Sequence, residues 1–257
     1  RFPNDLKTLM YPHNLYNHQL KYAENTVLAD AFEAAGAAEK TTLLNRFCDI
    51  RQRRMPLVGG AGDCELLSET AEGMAEYVGT LALKVLSPQA YVARSARYTE
   101  ILRSMDAVQV DIRRISYYSG AVLLLTAHDA GIDFSHPIGT TKEVVYDIVT
   151  RSLAPVFPKE LQPDVRIESL VAEATQTHAQ AVEQFLSGNP SKIAGEFYIS
   201  GYDPMNMIRS GDLVLCKTFV RLTGIVEQTS IPLMGETLLC MVPGSENKAS
   251  GYYRQTN

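Results

Sequence analysis

The sequence predicts a mainly α-helical protein, with a helical bundle over about residues 1–190 and a small antiparallel β-domain over residues 191–257. Two observations lead to this prediction. Up to about Leu186, apolar residues recur at helical spacing between glycines, prolines and capping residues that mark helix ends. After Pro190, short runs rich in β-branched and aromatic residues alternate with turn-like segments. We therefore expect two domains that differ in secondary structure.

The first two helices lie close together in the sequence. One runs from Leu15 to Gly36, a residue typical of helix C-termini. The next covers Lys40 to about Arg54 and is expected to end before Pro56, because proline disrupts a helix interior. The glycine-rich segment LVGGAGD, residues 57–63, is then predicted to be a loop.

Five further helices complete the predicted bundle. One covers about residues 64–86, and Ser87-Pro88 restarts a helix with a cap residue and a proline in the first turn. Residues 112–131 form an apolar helix that we expect at the centre of the bundle. Residues 140–143 (TTKE) are typical of a capping box, and residues 164–188 are amphipathic up to Gly188.

The β-domain is predicted from three apolar runs, EFYISGY, DLVLCKTFVRL and ETLLCMV, separated by turn-like sequences. Residues 203–212 (DPMNMIRSGD) are interpreted as a loop that leads into a hairpin. Cys216 and Cys240 both lie in these runs, so a disulfide between them is open. Since the four cysteines are widely spaced, we expect free thiols, as in an intracellular protein.

The composition is that of a globular protein, with 46% hydrophobic and 21% charged residues. A formal net charge of -5 argues against nucleic acid or an anionic membrane surface as a partner. The longest apolar run, AVLLL at residues 121–125, is far shorter than a membrane span, and no signal peptide is visible. These features predict a cytoplasmic protein.

A row of four glutamates, the Glu ladder, follows the predicted loop at offsets of four, three and four: Glu65, Glu69, Glu72 and Glu76. On a helix they fall within about 60° of one another. The side opposite is apolar: Leu66, Leu67, Met74, Tyr77, Val78 and Leu81. The ladder is either a solvated face, a set of acids neutralised by the preceding basic run Arg46, Arg51, Arg53 and Arg54, or a cation site. We expect Glu65 and Glu76 to be solvated or paired with arginine.

Gly73 follows the third glutamate and lowers helix propensity by roughly 1 kcal/mol relative to alanine. This cost makes sense where another backbone, a metal or a substrate approaches the helix closely. Glu72 is therefore the most informative of the four acids, with Glu69 one turn before it.

The segment EGMAEYV, residues 72–78, resembles the EGxAxYV helix of gluzincin-type zinc metallopeptidases, a group that includes the aminopeptidase-M1-like enzymes. In that family the glutamate before the glycine is the third zinc ligand, beside two histidines and a general base from an HExxH helix. The resemblance implies that Glu72 is a metal ligand. Glu69 would be a second-shell or alternative ligand.

A second segment, YYSG at residues 117–120 followed by AVLLL, is similar to the YxxG segment of the same family. The family's tyrosine three residues before the glycine stabilises the oxyanion of the tetrahedral intermediate. That role falls to Tyr117 here, with Tyr118 as the fallback. Arg113 and Arg114 lie one turn earlier and are expected to pair with the Glu ladder or, alternatively, to reach a substrate carboxylate.

The chain contains no HExxH motif. Its five histidines are not spaced by four residues, and His13 and His18 lie about 140° apart on a helix, which suits a structural role better than chelation. Because the chain begins with Arg1, we expect the HExxH helix in sequence upstream; a degenerate relative that has lost the metal is the alternative.

Two hypotheses follow. The first is a zinc metallopeptidase-like hydrolase that cleaves a peptide or protein substrate with a metal-activated water, and whose active site is incomplete in this chain. Zinc would bind only when the missing histidines are supplied, so this chain alone is expected neither to bind zinc tightly nor to hydrolyse peptides. The second is a non-catalytic helical interaction or scaffold protein that lacks a metal site.

Overall fold

The structure, a computed structural model, describes residues 5–134, 143–155, 164–226 and 228–255. In these ranges helices are followed by an antiparallel sheet of seven strands, which confirms the predicted fold class. The described residues form two compact units. The helical unit contains residues from Tyr11 to Val171, and the β unit contains Asp5–Met10 and residues from Ala172 onward.

The helices are α1 (Asp5–Thr8), α2 (Leu15–Glu33), α3 (Ala37–Val58), α4 (Gly60–Leu86), α5 (Pro88–Arg103), α6 (Ile112–Asp129), α7 (Val145–Thr150) and α8 (Val165–Ser187), with a short 3₁₀ turn at Ala107–Gln109. The strands are β1 (Ser191–Tyr202), β2 (Met207–Ser210), β3 (Leu213–Cys216), β4 (Phe219–Gly224), β5 (Ser230–Met234), β6 (Thr237–Met241) and β7 (Lys248–Arg254). The first residues of the capping box predicted at residues 140–143 lie outside the described ranges.

The predicted glycine-rich loop at residues 57–63 is wrong. Helix α3 continues through Pro56 to Val58, and α4 begins at Gly60. Only Gly59 separates them, with a positive φ of 60° that glycine adopts without strain. Val58 and Ala61 pack with Tyr11 and Ile112 in a small apolar cluster. Burial of both helix ends there outweighs the weak helix propensity of this segment.

Helix α6 lies at the centre of the helical unit, as the sequence predicts, because twelve of its eighteen residues are buried. It packs mainly against α4, and the two backbones meet where Gly73 faces Gly120. A Cβ atom on Gly73 would lie 2.6 Å from the Cα atom of Gly120, so only glycine permits this approach. Of the uses considered for Gly73, the structure supports the approach of another backbone.

The β unit is one sheet with strand order β2-β3-β6-β7-β1-β4-β5. Its larger apolar cluster combines alternate strand residues with Leu6 of α1. Residues from the second half of α8, Val182 and Phe185, pack on Leu215 and Leu238 in a second cluster. The segment predicted as a loop before the hairpin contains β2, which pairs with β3 across a turn at Gly211, φ +59°.

All four cysteines are free, as expected. Cys216 is opposite Thr237 in the β3–β6 pair and Cys240 is opposite Leu213, so the two thiols occupy opposite ends of that pair. Among the described helices, none has a stretch that is both long and apolar enough to cross a bilayer.

Candidate functional site

The Glu ladder of α4 divides into a closed end and an open end. Glu65 and Glu69, the closed end, are fully buried. Glu72 and Glu76, the open end, are partly exposed, with 22% and 34% of their side-chain surface accessible. The close packing of Gly73 on Gly120 lies at the open end, directly after Glu72. The helix thus presents identical side chains to two different environments.

At the closed end, α2 and α3 bring three cations and one more acid to the buried glutamates. Glu65 accepts hydrogen bonds from Lys21, at 2.6 Å, and from the Arg54 guanidinium, at 2.7 and 2.9 Å. Glu24 accepts from Lys21 and from both arginines, Arg51 and Arg54, at 2.8–3.0 Å. These contacts confirm the interpretation that the preceding basic helix neutralises part of the ladder.

Glu69 completes the network. Arg51 donates to both of its carboxylate oxygens, one of them at 2.8 Å, and the Ser119 hydroxyl of α6 donates to the same carboxylate. The Arg51 guanidinium also lies over the rings of Phe47 and Tyr146, 4.5 and 5.1 Å from their centroids. Both oxygens of Glu69 are therefore hydrogen-bonded to protein groups inside a fully buried site.

The closed end is balanced in charge. Lys21, Arg51 and Arg54 face Glu24, Glu65 and Glu69, three cations and three anions. Burial alone would raise the pKa of Glu24 and Glu65, but the neighbouring arginines and lysine outweigh it and lower both pKa values. Glu24 and Glu65 are consequently ionised and paired at neutral pH.

Tyr11 and a histidine pair border this network. The Tyr11 hydroxyl is 3.1 Å from Glu65 and also contacts Arg54. His18 is buried. Its Nε2 atom lies 3.1 Å from Nδ1 of His13, so one nitrogen of each ring takes part in a hydrogen bond between the two rings. Burial and the neighbouring His13 lower the pKa of His18 to about 3, which keeps it neutral. The predicted separation of about 140° on a helix is wrong, because His13 precedes α2 and its ring stacks on that of His18.

At the open end, the contacts are fewer and closer to solvent. The guanidinium of Arg113 donates to Glu72 Oε1 at 2.7 Å, so the expected pairing of this arginine with the Glu ladder is confirmed. The Tyr117 phenol lies beside the same two groups. Its pKa is raised first by burial and then by its hydrogen bond with Glu72. Glu72, Arg113 and Tyr117 thus form one partly exposed cluster.

The helix crossing explains why these residues meet. Glu72 immediately precedes Gly73, and Tyr117 lies one turn before Gly120 on α6. Because the two glycines are in contact, the side chains next to them reach the same side of the α4–α6 pair. The two segments that resemble gluzincin motifs, more than forty residues apart in sequence, therefore converge on one point.

The two other candidate residues lie elsewhere. Glu69 is enclosed by Arg51 and Ser119 at the closed end. Tyr118 packs against the core, and its ring centroid is 5.8 Å from that of Tyr98. Glu76 accepts a hydrogen bond from the Tyr98 hydroxyl and lies 4.0 Å from Arg94. Of the four candidates, only Glu72 and Tyr117 lie together.

Glu72 fits one position of a zinc site, since an accessible carboxylate oxygen is an ordinary zinc ligand. Within the described ranges, however, no group of three histidine, cysteine, aspartate or glutamate side chains could hold a metal. At this point Glu72 supplies one accessible carboxylate and Tyr117 one phenol, so a complete zinc site would need further ligands.

Several residues of the closed end are not predicted from the sequence as functional or structural partners: Tyr11, Lys21, Glu24 and Ser119. For two of these residues the sequence does contain a signal of burial. Lys21 and Glu24 interrupt the apolar side of α2, and both are fully buried. Buried charges require partners, so such an interruption indicates an internal ion pair. Tyr11 and Ser119 carry no comparable signal.

Searches with this chain found no matching family model, no matching curated protein and no matching solved structure. The gluzincin resemblance therefore depends on the motifs of the chain itself and on the contacts between them.

Proposed function

We propose that this chain carries the carboxylate and tyrosine part of a zinc metallopeptidase site, with Glu72 as metal ligand and Tyr117 as oxyanion stabiliser. The observation that supports the proposal most is the convergence of the two motif segments, with Gly73 against Gly120 and the Tyr117 phenol beside Glu72 and Arg113. Their meeting at one accessible point is what a shared active site requires.

In this proposal, the residues present have separate roles in catalysis. A bound zinc would supply an activated water and polarise a peptide carbonyl. Glu72 would bind the metal through a carboxylate oxygen, and the Tyr117 phenol would donate a hydrogen bond to the developing oxyanion. The raised pKa of Tyr117 keeps the phenol protonated at neutral pH, as a donor must be. Glu69 and Tyr118 receive no direct role, because both are held in other contacts.

The proposal requires two histidines and a general base from polypeptide outside these 257 residues. Its test uses the longest natural reading frame that contains this chain, assayed for zinc by metal analysis and for peptide hydrolysis. We expect an HExxH motif upstream, about one zinc per chain, loss of zinc in Glu72→Gln, and a kcat lower by about 10²-fold in Tyr117→Phe with zinc retained.

Two matched variants serve as controls. Glu76→Gln changes the same residue type one turn along α4, and Tyr118→Phe changes the adjacent phenol. Both should retain zinc and activity. A reading frame without HExxH, or a Glu72→Gln protein that binds zinc as tightly as the parent, would overturn the proposal.

A second candidate function is a non-catalytic interaction or scaffold module. The observation that favours it is the self-neutralised network at the closed end together with the Arg113–Glu72 pair, which leaves each of these ladder acids with an internal cation. The same metal analysis separates the two candidates, since a scaffold would bind no stoichiometric zinc through Glu72.

A further inference from the structure

Strands β7, β1 and β4 present an exposed surface on the side of the sheet that faces away from its core. Alternate residues of these strands pack in the apolar cluster on the inner side. On β3 and β6 the opposite side is covered by α8, through contacts with Leu215 and Leu238. On β7, β1 and β4 that side is accessible. We call it the outer face and define it by six side chains: Lys192, Tyr198, Ser200, Phe219, Arg221 and Lys248.

The strand register brings these side chains together. Tyr198 of β1 is opposite Lys248 of β7 and Thr223 of β4, and the Lys248 ammonium lies 5.4 Å from the centroid of the Tyr198 ring. The Thr223 hydroxyl donates a hydrogen bond to the Ser200 hydroxyl at 3.0 Å, so β1 and β4 share this side of the sheet. Arg221, two residues before Thr223, projects on the same side.

Three cations on the outer face have no acidic partner. Within the described part of the chain, Lys192, Arg221 and Lys248 form no ion pair with an aspartate or glutamate. The described strands β1, β4 and β7 contain a single acid, Glu196, which lies in the bulge of β1. The positive charge of the outer face is therefore available to an anionic partner.

Aromatic rings accompany these cations. Lys192 lies 5.5 Å from the centroid of the Tyr253 ring, Lys248 lies over Tyr198, and Arg221 follows Phe219 by two residues on the same side of β4. Cations interleaved with rings suit a single-stranded nucleic acid, in which phosphates alternate with bases that can stack. An acidic peptide would use the cations and leave the rings without a role.

We propose that the outer face binds single-stranded nucleic acid, with Lys192, Arg221 and Lys248 on phosphates and Tyr198 against a base. Lys192 and Tyr198 are separated by roughly 15–20 Å along β1, so the cations form a row that can follow a backbone. The net charge of -5, from which we expected no nucleic-acid partner, is a sum over the whole chain, whereas binding depends on the potential at the surface contacted. The proposal is independent of zinc.

The test measures binding of a fluorescein-labelled oligothymidylate by fluorescence anisotropy, in the same natural reading frame, at about 50 mM and about 200 mM salt. With three phosphate contacts, we expect the parent's affinity to fall about 20-fold between the two salt concentrations. In the double variant Arg221→Gln, Lys248→Gln one contact remains, so the fall should be about threefold. Its affinity at low salt should be at least about tenfold below that of the parent.

A second double variant is the matched control. Lys84→Gln with Arg97→Gln removes the same charge from exposed positions of the helical unit and should bind like the parent. Tyr198→Leu tests the stacking contact, because leucine keeps an apolar side chain without the π-face. We expect Tyr198→Leu to bind about fivefold more weakly, with the salt dependence of the parent.

Three outcomes would overturn the proposal. The first is no binding of the oligothymidylate by the parent at low salt. The second is an equal loss in the two double variants, which would mean that only the net charge of the protein matters. The third is equally strong competition by an oligoglutamate of the same length, which would assign the outer face to acidic peptides. An unchanged affinity in Tyr198→Leu would overturn the stacking role of that ring.

Discussion

The two ends of the Glu ladder carry the same side chain on the same helix and differ in almost every other respect. At the closed end, Glu65 and Glu69 are enclosed by three cations from α2 and α3 and have no accessible surface. At the open end, Glu72 is held by Arg113 and Tyr117 and remains accessible. The closed end is suited to stability and the open end to binding, because only an accessible carboxylate can exchange its partner.

The largest expected effect compares Glu65→Gln with Glu72→Gln. Glu65→Gln leaves Lys21 and Arg54 buried with one anion too few, and we expect it to lower the free energy of unfolding by about 3–5 kcal/mol. Glu72→Gln removes a partly exposed pair and should cost less than about 1 kcal/mol. Urea unfolding followed by far-ultraviolet circular dichroism measures both. Equal losses in the two variants would contradict the division into a closed and an open end.

The next effect concerns Gly73, which follows Glu72 at the open end. Gly73→Ala inserts a Cβ atom against the Gly120 backbone, and we expect a loss of about 1–3 kcal/mol as α4 and α6 separate. Gly79→Ala, two turns along the same helix, is the control. Its Cβ atom would meet only an Arg94 nitrogen at 3.5 Å, so it should gain up to about 1 kcal/mol from helix propensity. Thermal unfolding of both variants measures these changes in stability. A Gly73→Ala protein as stable as the parent would argue against the close contact between α4 and α6.

The smallest expected effect is the pH dependence of stability that comes from His18, which borders the closed end. The pKa of His18 is lowered to about 3 in the folded state, against about 6.5 when unfolded, so the unfolded chain binds the proton first. Stability from this group is complete above about pH 6.5 and falls as the pH drops toward 3. Between pH 7 and pH 5 the loss is about 2 kcal/mol, at about 1.4 kcal/mol per pH unit.

His18→Gln should remove that part of the pH dependence. Urea unfolding at pH 7 and pH 5 compares the variant with the parent. The quantity compared is the change in the free energy of unfolding between the two pH values, not its absolute value. A variant whose stability falls as steeply as that of the parent would show that His18 is not held neutral.

The Glu ladder also illustrates how far sequence reasoning reaches. The spacing of the four acids follows from the sequence, whereas arginine pairing and a close backbone approach at Gly73 were two among several alternatives that it left open. The burial of Glu65 and Glu69 is not predictable from the sequence, because a helix with acids on one side and leucines on the other is typical of a surface helix. Val78 shows the same limit: it lies on the predicted apolar side and is 63% exposed.

The sequence by itself determined the order of helices and strands, the central position of α6, the free thiols and the two motif segments that resemble a peptidase, because these depend on local pattern. The tertiary structure alone decided that Pro56 and Gly60 lie in helices and that Lys21 joins the arginines around the buried carboxylates. It also decided that Glu72 and Tyr117 meet while Glu69 and Tyr118 do not. Those outcomes depend on contacts between residues distant in sequence. At the open end, the decisive contact is that of Gly73 with Gly120, where α4 and α6 cross.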